Sequence, residues 1–480
     1  MTKKKYRALA LGLALSLTSS FAVCQADEAE DIGQDTPAMT ADNEQLPPEA
    51  PPDNAGGTPP EGTPPAGSPD RMQQTAANAA DLQAARIFDG TTETSSNETI
   101  TSENTDENTV LLRNGAHVTM NQAILTKSGD TSNGDNSNFN GLNAVLLANN
   151  STAILSHLVI ASDAEGANAI FATGSDSHIQ IAHTKIHTTH NSSRGLDATY
   201  NGNIHAAYMD ITTEGAHCAA LATDRGEGSV SVSNSILATS GDGSPCIYST
   251  GSITAADSKG VATGSEMAVV EGKNSISLLR TELVGNKKHG IMLYQSFSGD
   301  ANSGTARFAA KDSKLTNLSD GPMFYITNTQ AEASLENTEL NNPENNILIQ
   351  VTSDHWGKTG SNGGDFTLRT TKQKLNGDVL ANNISSIAMN LGTGTDWTGS
   401  FNKDKAAKQS SIRLAAKATW TLTADSYATS FEDDDLTLAN IHSQGHNIYY
   451  NPSKSSKKLK GRTYSLEGGG QLIPSKFNRQ

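Results

Sequence analysis

Short apolar strands recur through the middle of the chain, and apolar and polar residues alternate within each of them. Val230 and Val232 stand between polar neighbours, as do Ile179 and Ile181. A period of two predicts β-strands with one buried face rather than helices. A Gly- or Asn-rich turn and another short strand follow in each case. The pattern therefore predicts a chain composed almost entirely of short β-strands.

These strands form a repeat of roughly 25 residues. A polar turn position marks each copy, recurs every 23 to 36 residues, and is assigned to Asn121, His157, His183, Tyr208, Asn234, Asp257, Arg280, Asp312 and Asn337. Three strands and three turns per copy make one coil, and stacked coils lie ~4.8 Å apart. We expect an all-β, right-handed parallel β-helix of about 10–13 coils. A β-sandwich or a propeller is the alternative, which the irregular coil length disfavours.

The N-terminus has the composition of a secretory signal peptide. Residues 1–26 begin with four basic side chains, followed by an apolar stretch at Ala8–Val23 that is short for a membrane-spanning helix. Small residues before Asp27 suit signal cleavage at that point. Lipidation at Cys24 is the alternative, although the preceding residues form a poor lipobox. We therefore expect an exported protein, located at the cell envelope, at the surface or in the medium.

The rest of the chain divides by composition into four parts. Residues 27–70 hold eleven acidic residues and no Lys or Arg, which predicts a disordered acidic, Pro-rich linker. Residues 71–107 suggest an Ala-rich helix to about Ile87 and an N-terminal cap over the first coil. Residues 108–365 carry the clearest repeats. Residues 366–480 are assigned to further coils and a C-terminal cap.

Charge and hydropathy restrict the partners. Much of the formal net charge of −16 belongs to the linker, and the repeats are also acidic. A nucleic-acid footprint is therefore not expected. The mature chain has no stretch long and apolar enough for a transmembrane helix. We expect a monomer that binds an unknown glycan or surface protein and carries no cofactor.

Two cysteines follow the signal region. Cys218 and Cys246 are assigned to the same slot of successive coils, within an inward column that also contains Ala144, Ala169, Met267 and Ile291. Positions stacked ~4.8 Å apart lie within the Cα range of a disulfide. Parallel side chains make that bridge awkward, however. Two reduced thiols packed as small apolar residues are the favoured interpretation, and the disulfide remains the alternative.

Histidines and acidic residues cluster in two places. Six of the twelve histidines lie between residues 178 and 217, but metal ligands need convergent geometry and supporting contacts. Because His157 and His183 occupy the turn position, we predict structural roles and no metal. The acidic run Glu432–Asp435 could bind Ca²⁺ through turn carbonyls, although such runs are more often solvated turns.

Two long insertions interrupt the repeat. Ser296–Thr305 and Thr352–Asp365 are expected to leave the solenoid at one corner, two coils apart. Insertions in repeat arrays usually map to a binding face. The second contains His355 and Trp356, and an exposed indole offers a flat apolar surface to a sugar or a protein. We take these two residues as the candidate binding site; the alternative is a tryptophan packed against its own coil.

The repeat, together with phrases in the C-terminal third, resembles a known family. Ala418–Tyr427 and Lys460–Gly470 are similar to last-coil and cap segments of bacterial autotransporter adhesin passengers, within the pectin-lyase-like superfamily. The resemblance covers about residues 108–470 and implies a right-handed β-helix. It also implies a non-catalytic, adhesin-like or structural protein at the cell surface or secreted. The chain leaves no room for a translocator barrel, so self-export is not expected.

Enzymes of this superfamily suggest the alternative function, a polysaccharide lyase or glycoside hydrolase. Polygalacturonases carry Asn-Thr-Asp and Gly-His-Gly motifs on neighbouring coils. Here Asn104–Asp106 precedes the first clear coil, and His289 lacks the preceding glycine. No paired carboxylates are evident at the spacing that a glycosidase needs. We therefore expect no enzymatic activity.

Overall fold

A computed structural model describes residues 79–475. These residues form an all-β, right-handed parallel β-solenoid of about 16 turns, with 3% helix. The predicted fold class is confirmed. The solenoid has more turns than the 10–13 expected, because the stack begins at Gln83 and continues almost to the described C-terminus. Among the described residues, no helix is long and apolar enough to cross a membrane.

Three long parallel sheets form the sides of the solenoid, and the strands are numbered along the chain. Sheet 1 contains β1 (Gln83–Asp89), β4 (Glu107–Arg113), β7 (Leu146–Asn149), β10 (Ile170–Thr173), β13 (Leu196–Thr199), β16 (Leu221–Thr223), β19 (Ile247–Ser249), β22 (Ala268–Glu271), β25 (Ile291–Tyr294), β28 (Phe324–Thr327), β31 (Ile347–Thr352) and β34 (Asp378–Ala381).

Sheet 2 is the longest of the three and runs through most of the described turns. It contains β2 (Thr92–Ser96), β5 (His117–Asn121), β8 (Thr152–Ser156), β11 (His178–Ala182), β14 (Asn203–Ala207), β17 (Ser229–Ser233), β20 (Ser252–Ala256), β23 (Ser275–Leu279), β26 (Thr305–Lys311), β29 (Gln330–Glu336), β32 (Asp365–Thr371), β35 (Ser386–Leu391), β37 (Gln409–Leu414) and β40 (Ser430–Asp433).

Sheet 3 closes the coil, and sheet 4 follows it toward the C-terminus. Sheet 3 contains β3 (Thr99–Ser102), β6 (Ile124–Lys127), β9 (Val159–Ser162), β12 (Lys185–Thr188), β15 (Asp210–Thr213), β18 (Ile236–Thr239), β21 (Lys259–Ala262), β24 (Glu282–Gly285), β27 (Lys314–Asn317) and β30 (Glu339–Asn341). Sheet 4 contains β33 (Lys374–Asn376), β36 (Asp396–Gly399), β38 (Thr419–Leu422) and β41 (Ile441–His442).

The C-terminal end is a small fifth sheet. It contains β39 (Ser426–Ala428), β42 (Ile448–Tyr450), β43 (Tyr464–Ser465) and β44 (Gln471–Pro474). Strands β43 and β44 pair antiparallel, whereas the other strand pairs are parallel. A hairpin at the last coil gives its strand edge a partner, as an open solenoid end requires. It lies where the sequence predicted a C-terminal cap.

The core is one continuous apolar column inside the coils. In strand β11, Ile179 and Ile181 are buried and their neighbours are exposed or half-buried, which is the alternation that the sequence predicted. Near the C-terminus the column contains Trp397 and Trp420, which are fully buried and stacked with ring centroids 4.9 Å apart. Each indole Nε1 donates to a glycine carbonyl at 3.0 Å, so both polar groups are satisfied inside the core.

The predicted turn position lies between sheets 2 and 3, and we call it the turn slot. Its residues adopt left-handed backbone conformations, with φ of 55° at His157 and 47° at Arg280. One assignment was wrong by a residue. Asn121 pairs with Ser156 at the end of the strand, and Gln122 has the positive φ of 54°.

Aromatic rings stack along the turn slot. The centroids of His157 and His183 are 5.0 Å apart, and those of His183 and Tyr208 are 4.7 Å apart. Both distances match the spacing of adjacent coils, so the repeat itself places these rings in register. The two histidines therefore have a structural position in the stack.

The two cysteines do not occupy the same slot, contrary to the sequence assignment. Cys246 lies beside Ala220, one residue before the Leu221–Ile247 pair. The amide of Cys218 instead donates to Ser244 Oγ at 2.9 Å. An offset of two residues puts the two Cα atoms roughly 8 Å apart, beyond disulfide range. Both thiols are free and buried, and burial raises the pKa of Cys218 to about 12.

The first coil begins earlier than the sequence indicated. Residues Ala79–Asp81 form a single 3₁₀ turn, and Gln83–Asp89 is a strand rather than the predicted continuation of a helix. Strand β1 pairs with β4 over most of its length. Cys24, the signal region and the acidic linker lie outside the described residues.

The turn slot yields a stability prediction at Tyr208. A β-branched side chain is strained in the left-handed region, whereas asparagine tolerates it. Tyr208→Val and Tyr208→Asn both remove the stacked ring, so their difference isolates the backbone preference. We expect the valine variant to be less stable by about 1–2 kcal/mol, as measured by urea unfolding.

Ser277, an exposed residue of strand β23, provides the matched control. In a strand valine is favoured over asparagine, so Ser277→Val should be at least as stable as Ser277→Asn. The same order of the two substitutions at both positions would contradict the left-handed assignment of Tyr208.

Candidate functional site

Several strands of sheet 1 are covered on their outer face, unlike most strands of sheets 2 and 3. Strands β7, β10, β13 and β22 are buried on both faces. Leu147 and Phe171 form a second apolar cluster on the outer side, separate from the core. Three insertions cover this face, and we call them the roof. They are residues 128–145, 295–304 and 353–364.

The first insertion contains helix α1 (Gly134–Asn140). Asn133 caps its N-terminus, because the side-chain oxygen accepts from the Asn136 amide at 3.1 Å. Gly141 ends it with a left-handed φ of 75°. At the end of the helix, the Phe139 carbonyl accepts a hydrogen bond from Thr199 Oγ1 at 2.9 Å. The insertion thus reaches forward from the β6–β7 connection onto strand β13.

The second insertion reaches back toward the first and meets it at Arg225. The guanidinium carbon of Arg225 lies 3.7 Å from the Phe139 ring centroid. Asp300, in the second insertion, accepts from Arg225 Nη2 at 2.6 Å. Asn302 adds a hydrogen bond of 2.6 Å to Glu227. A cation–π contact and an ion pair on one side chain therefore join two insertions that are distant in sequence.

The third insertion carries the predicted binding residues. As expected, it and the second insertion both follow strands of sheet 1, two strands apart. Trp356 packs on Tyr294, with ring centroids 5.3 Å apart, and so contacts an earlier coil rather than only its own. Trp356 remains partly exposed, and His355 beside it is exposed. The structure therefore places the two predicted residues at the edge of the roof.

Asp354 anchors this insertion to sheet 1. Its carboxylate accepts from Tyr325 Oη at 2.8 Å and from the His355 amide at 2.6 Å. Burial acts to raise the pKa of Asp354, but these hydrogen bonds outweigh it, and the pKa is lowered. The Tyr325 ring also stacks on His289, with centroids 3.9 Å apart.

Two carboxylates share one guanidinium beneath the roof. Arg194 contacts Asp197 at 2.9 Å and Asp224 at 3.1 Å. All three are buried, with Asp197 at 0% and Asp224 at 5% exposure. Burial raises the pKa of each carboxyl, and the Arg194 charge opposes that shift. Asp197 and Asp224 are therefore a buried carboxyl pair that shares Arg194.

Arg194 is one cation shared by two carboxyl groups. Within the described part of the chain, the buried Asp197 Oδ1 has no hydrogen-bond partner. A buried carboxylate oxygen without a partner favours a bound proton. The arrangement is thus of the kind that holds one carboxyl neutral near its ionised neighbour, which is also the requirement for general acid–base chemistry.

Glu271 forms a second polar centre on the same face. Its carboxylate accepts from Tyr248 Oη at 2.6 Å and from Tyr294 Oη at 3.0 Å, and it also contacts Ser296 Oγ. Trp356 also packs on the ring of Tyr294. Contacts therefore run without a break from the buried Glu271 carboxylate, through Tyr294, to the exposed edge of the roof. Burial and the Glu271 charge raise the pKa of Tyr248 well above its usual value.

A shallow depression of about 780 Å³ lies at the corner between sheets 2 and 3. Its charges alternate from coil to coil, with Lys259 paired to Glu282 at 3.4 Å and Lys314 to Glu339 at 3.0 Å. Exposed pairs of this kind contribute ~0–1 kcal/mol each. The alternation favours the in-register stack and leaves no strong preference for a ligand of either sign.

The clustered histidines do not converge on one point in the part of the chain that the structure describes. No group of three or more His, Cys, Asp or Glu side chains is placed to hold an ion there. His178, His187, His205 and His217 lie on different turns and faces. His187 instead contacts Glu214 at 2.8 Å.

Comparison with known proteins does not assign the chain to a family. No family model matches it, and neither a curated protein nor a solved structure is significantly similar to it. The fold and the roofed face are therefore the basis for any functional proposal.

The sequence missed the first insertion and the carboxylate pair. The widest spacings of the turn slot mark the three insertions, and they fall between Gln122 and His157, between Arg280 and Asp312, and between Asn337 and Lys372. That spacing was the available signal for the first insertion. The signal for the pair was the aspartate at position 197, a charged residue between the apolar Leu196 and Ala198 of a short strand.

Arg194 yields a test of this buried network. Arg194→Met leaves two buried carboxylates without a cation, so we expect destabilisation by about 3–5 kcal/mol near neutral pH. Because burial raises both pKa values above the usual 3.8, protonation favours the folded state. That contribution is present at low pH and is lost as the pH rises through the folded pKa. Urea unfolding should therefore show a smaller loss at about pH 5 than at about pH 8.

Arg307→Met is the control, because Arg307 is exposed and donates to the Thr305 carbonyl. It should change the unfolding free energy by less than about 0.5 kcal/mol. An Arg194→Met variant as stable as this control would contradict the proposed role of the guanidinium.

Proposed function

We propose that this protein is a non-catalytic, exported β-helix protein of the adhesin-like or structural kind, located at the cell surface or secreted. We further propose that it binds a glycan or a protein at the edge of the roof. The pectin-lyase-like and autotransporter-passenger-like resemblance supports the class of protein, and the N-terminal composition supports export. The location of the binding surface rests on the structure of the insertions.

The observation that carries the proposal is the position of Trp356. It is partly exposed beside the exposed His355, and it is held from below by Tyr294. Phe297, in the neighbouring insertion, is 55% exposed. Rigid aromatic side chains at a rim of polar loops are well suited to contact sugar rings or apolar protein groups.

The covered face below explains why these loops can be specific. Glu271 and Asp354 fix the two insertions through hydrogen bonds from tyrosines of sheet 1. Loops supported in this way lose little conformational freedom when a ligand binds, which favours affinity. The solenoid then acts as a rigid support for a small binding surface.

A glycan and matrix-protein array tests this proposal. We expect the wild-type protein to bind at least one class of ligand, and Trp356→Ala to weaken that binding by about tenfold or more, because the flat apolar surface is lost. Affinity is measured by titration with the array ligand.

Tyr208→Asn is the matched control for Trp356→Ala. It removes an exposed aromatic ring from the turn slot, away from the roof, and should leave the affinity unchanged. Equal affinity of wild type and Trp356→Ala would contradict a binding role for the tryptophan.

The second candidate function is cleavage of an acidic polysaccharide. The specific observation in its favour is the buried Asp197–Arg194–Asp224 arrangement, since glycosidases use paired carboxyl groups with different pKa values. The almost complete burial of both carboxyl groups makes it the weaker candidate, because substrate would have to reach them beneath the roof.

A panel of uronate polymers tests this second candidate. If it is correct, the protein cleaves at least one polymer, and Asp224→Asn lowers the rate by at least about 100-fold because the acid–base group is lost. Asp312→Asn, in the charged depression, should retain the activity. Lack of turnover across the panel would contradict this candidate and leave the binding proposal standing.

A further inference from the structure

The acidic turn between β40 and β41 contains two buried polar side chains that face each other. Asp433 ends β40 and is 5% exposed, and Asn440 precedes β41 and is 7% exposed. Asn440 Nδ2 donates to Asp433 Oδ1 at 3.2 Å and to the Ala418 carbonyl at 2.9 Å. The turn therefore brings a carboxylate and an amide together in a space closed to solvent.

One oxygen on each of these side chains is buried without a partner among the described residues. These atoms are Asp433 Oδ2 and Asn440 Oδ1, and neither accepts a hydrogen bond there. Leaving a buried acceptor unsatisfied is unfavourable, and more so for a carboxylate. Two unpartnered oxygens from facing side chains form an electron-rich site that lacks a positive group.

Another buried amide at the same corner has hydrogen-bond partners on both of its polar atoms. Gln373 precedes β33, as Asn440 precedes β41. Its Oε1 accepts from the Thr338 amide at 2.9 Å, and its Nε2 donates to the Lys374 carbonyl at 2.8 Å. The corner itself therefore does not force a buried amide to leave its oxygen without a partner.

Negative charges close to Asp433 make a bound cation more favourable there. Asp434 and Asp435 follow Asp433, and the Asp434 carboxylate lies 3.4 Å from the Arg413 guanidinium. Burial raises the pKa of Asp433 to about 6, and the two neighbouring carboxylates add to that effect, although hydrogen bonds from Asp435 and Asn440 oppose it. Among residues 79–475, no basic side chain forms an ion pair with Asp433.

We propose that this turn binds one calcium ion through Asp433 Oδ2 and Asn440 Oδ1, with turn carbonyl oxygens completing the shell. Ca²⁺ takes six to eight oxygen ligands in flexible geometry and accepts carbonyl and amide oxygens, whereas Mg²⁺ demands a stricter octahedron. Because few of the ligands are charged, the affinity falls in the range of about 10⁻⁴–10⁻³ M that extracellular modules show. This proposal is independent of the proposed function.

Thermal unfolding of the purified protein with CaCl₂, MgCl₂ or EDTA tests the site. At ~10 mM CaCl₂ we expect the unfolding midpoint to rise by about 3 °C relative to EDTA, because only the folded state presents the ligands. MgCl₂ should give less than half of that shift. Terbium luminescence excited through Trp420 gives a direct readout, since the Trp420 amide donates to the Asn440 carbonyl at 3.0 Å.

Two variants separate this site from general ion effects. Asp433→Asn should remove both the calcium shift and the terbium signal, because the buried carboxylate is lost. Asp434→Asn, which changes the neighbouring exposed carboxylate, should retain both. A shift that persists in Asp433→Asn would overturn the proposal.

If a variant does not fold, calorimetric titration of the wild-type protein with calcium still tests the site. One calcium ion bound per chain, displaced competitively by terbium, supports the site. The proposal is wrong if the wild-type protein shows neither binding heat nor a midpoint shift with calcium at neutral pH. In that case the unpartnered carboxyl is satisfied by a proton instead.

Discussion

The structure depends on the in-register stacking of each coil on the next. A single coil can neither bury its inner apolar side chains nor pair its backbone groups, so stability comes from contacts between neighbouring coils. Residues at equivalent positions consequently stack about 4.8 Å apart, which places the rings of His157, His183 and Tyr208 face to face. The same constraint aligns the alternating charges at Lys259 and Glu282. Register is therefore set by many equivalent contacts along the chain.

The roof is the main departure from this regularity, and it determines where chemistry is possible. Most surface positions of the solenoid repeat from coil to coil and carry solvated polar side chains. Sheet 1 instead buries charged groups, since Arg194 and Glu271 lie under the insertions. Arg225 joins the first two insertions, and Tyr294 connects Glu271 with Trp356. A buried polar network of this kind fixes loop positions when its members are satisfied.

The periodicity made the architecture predictable from the sequence, but errors in the alignment of neighbouring coils limited the prediction of the functional site. Strand alternation and the turn slot identified the solenoid. A one-residue error at Asn121 and a two-residue error at Cys218 show that irregular coil lengths shift the alignment between coils. Such shifts hide which side chains meet across coils. For that reason Asp197 and Asp224 were not recognised as a pair, whereas the insertion that contains Trp356 was visible from its length alone.

The central claim is that ligands contact the roof rather than the repetitive sides of the solenoid. Hydrogen–deuterium exchange of the wild-type protein, with and without its best array ligand, tests this claim most directly. We predict that added protection is confined to residues 295–304 and 353–364, with the coils beneath them unchanged. Protection centred on the charged depression between sheets 2 and 3, with none in the insertions, would contradict the account.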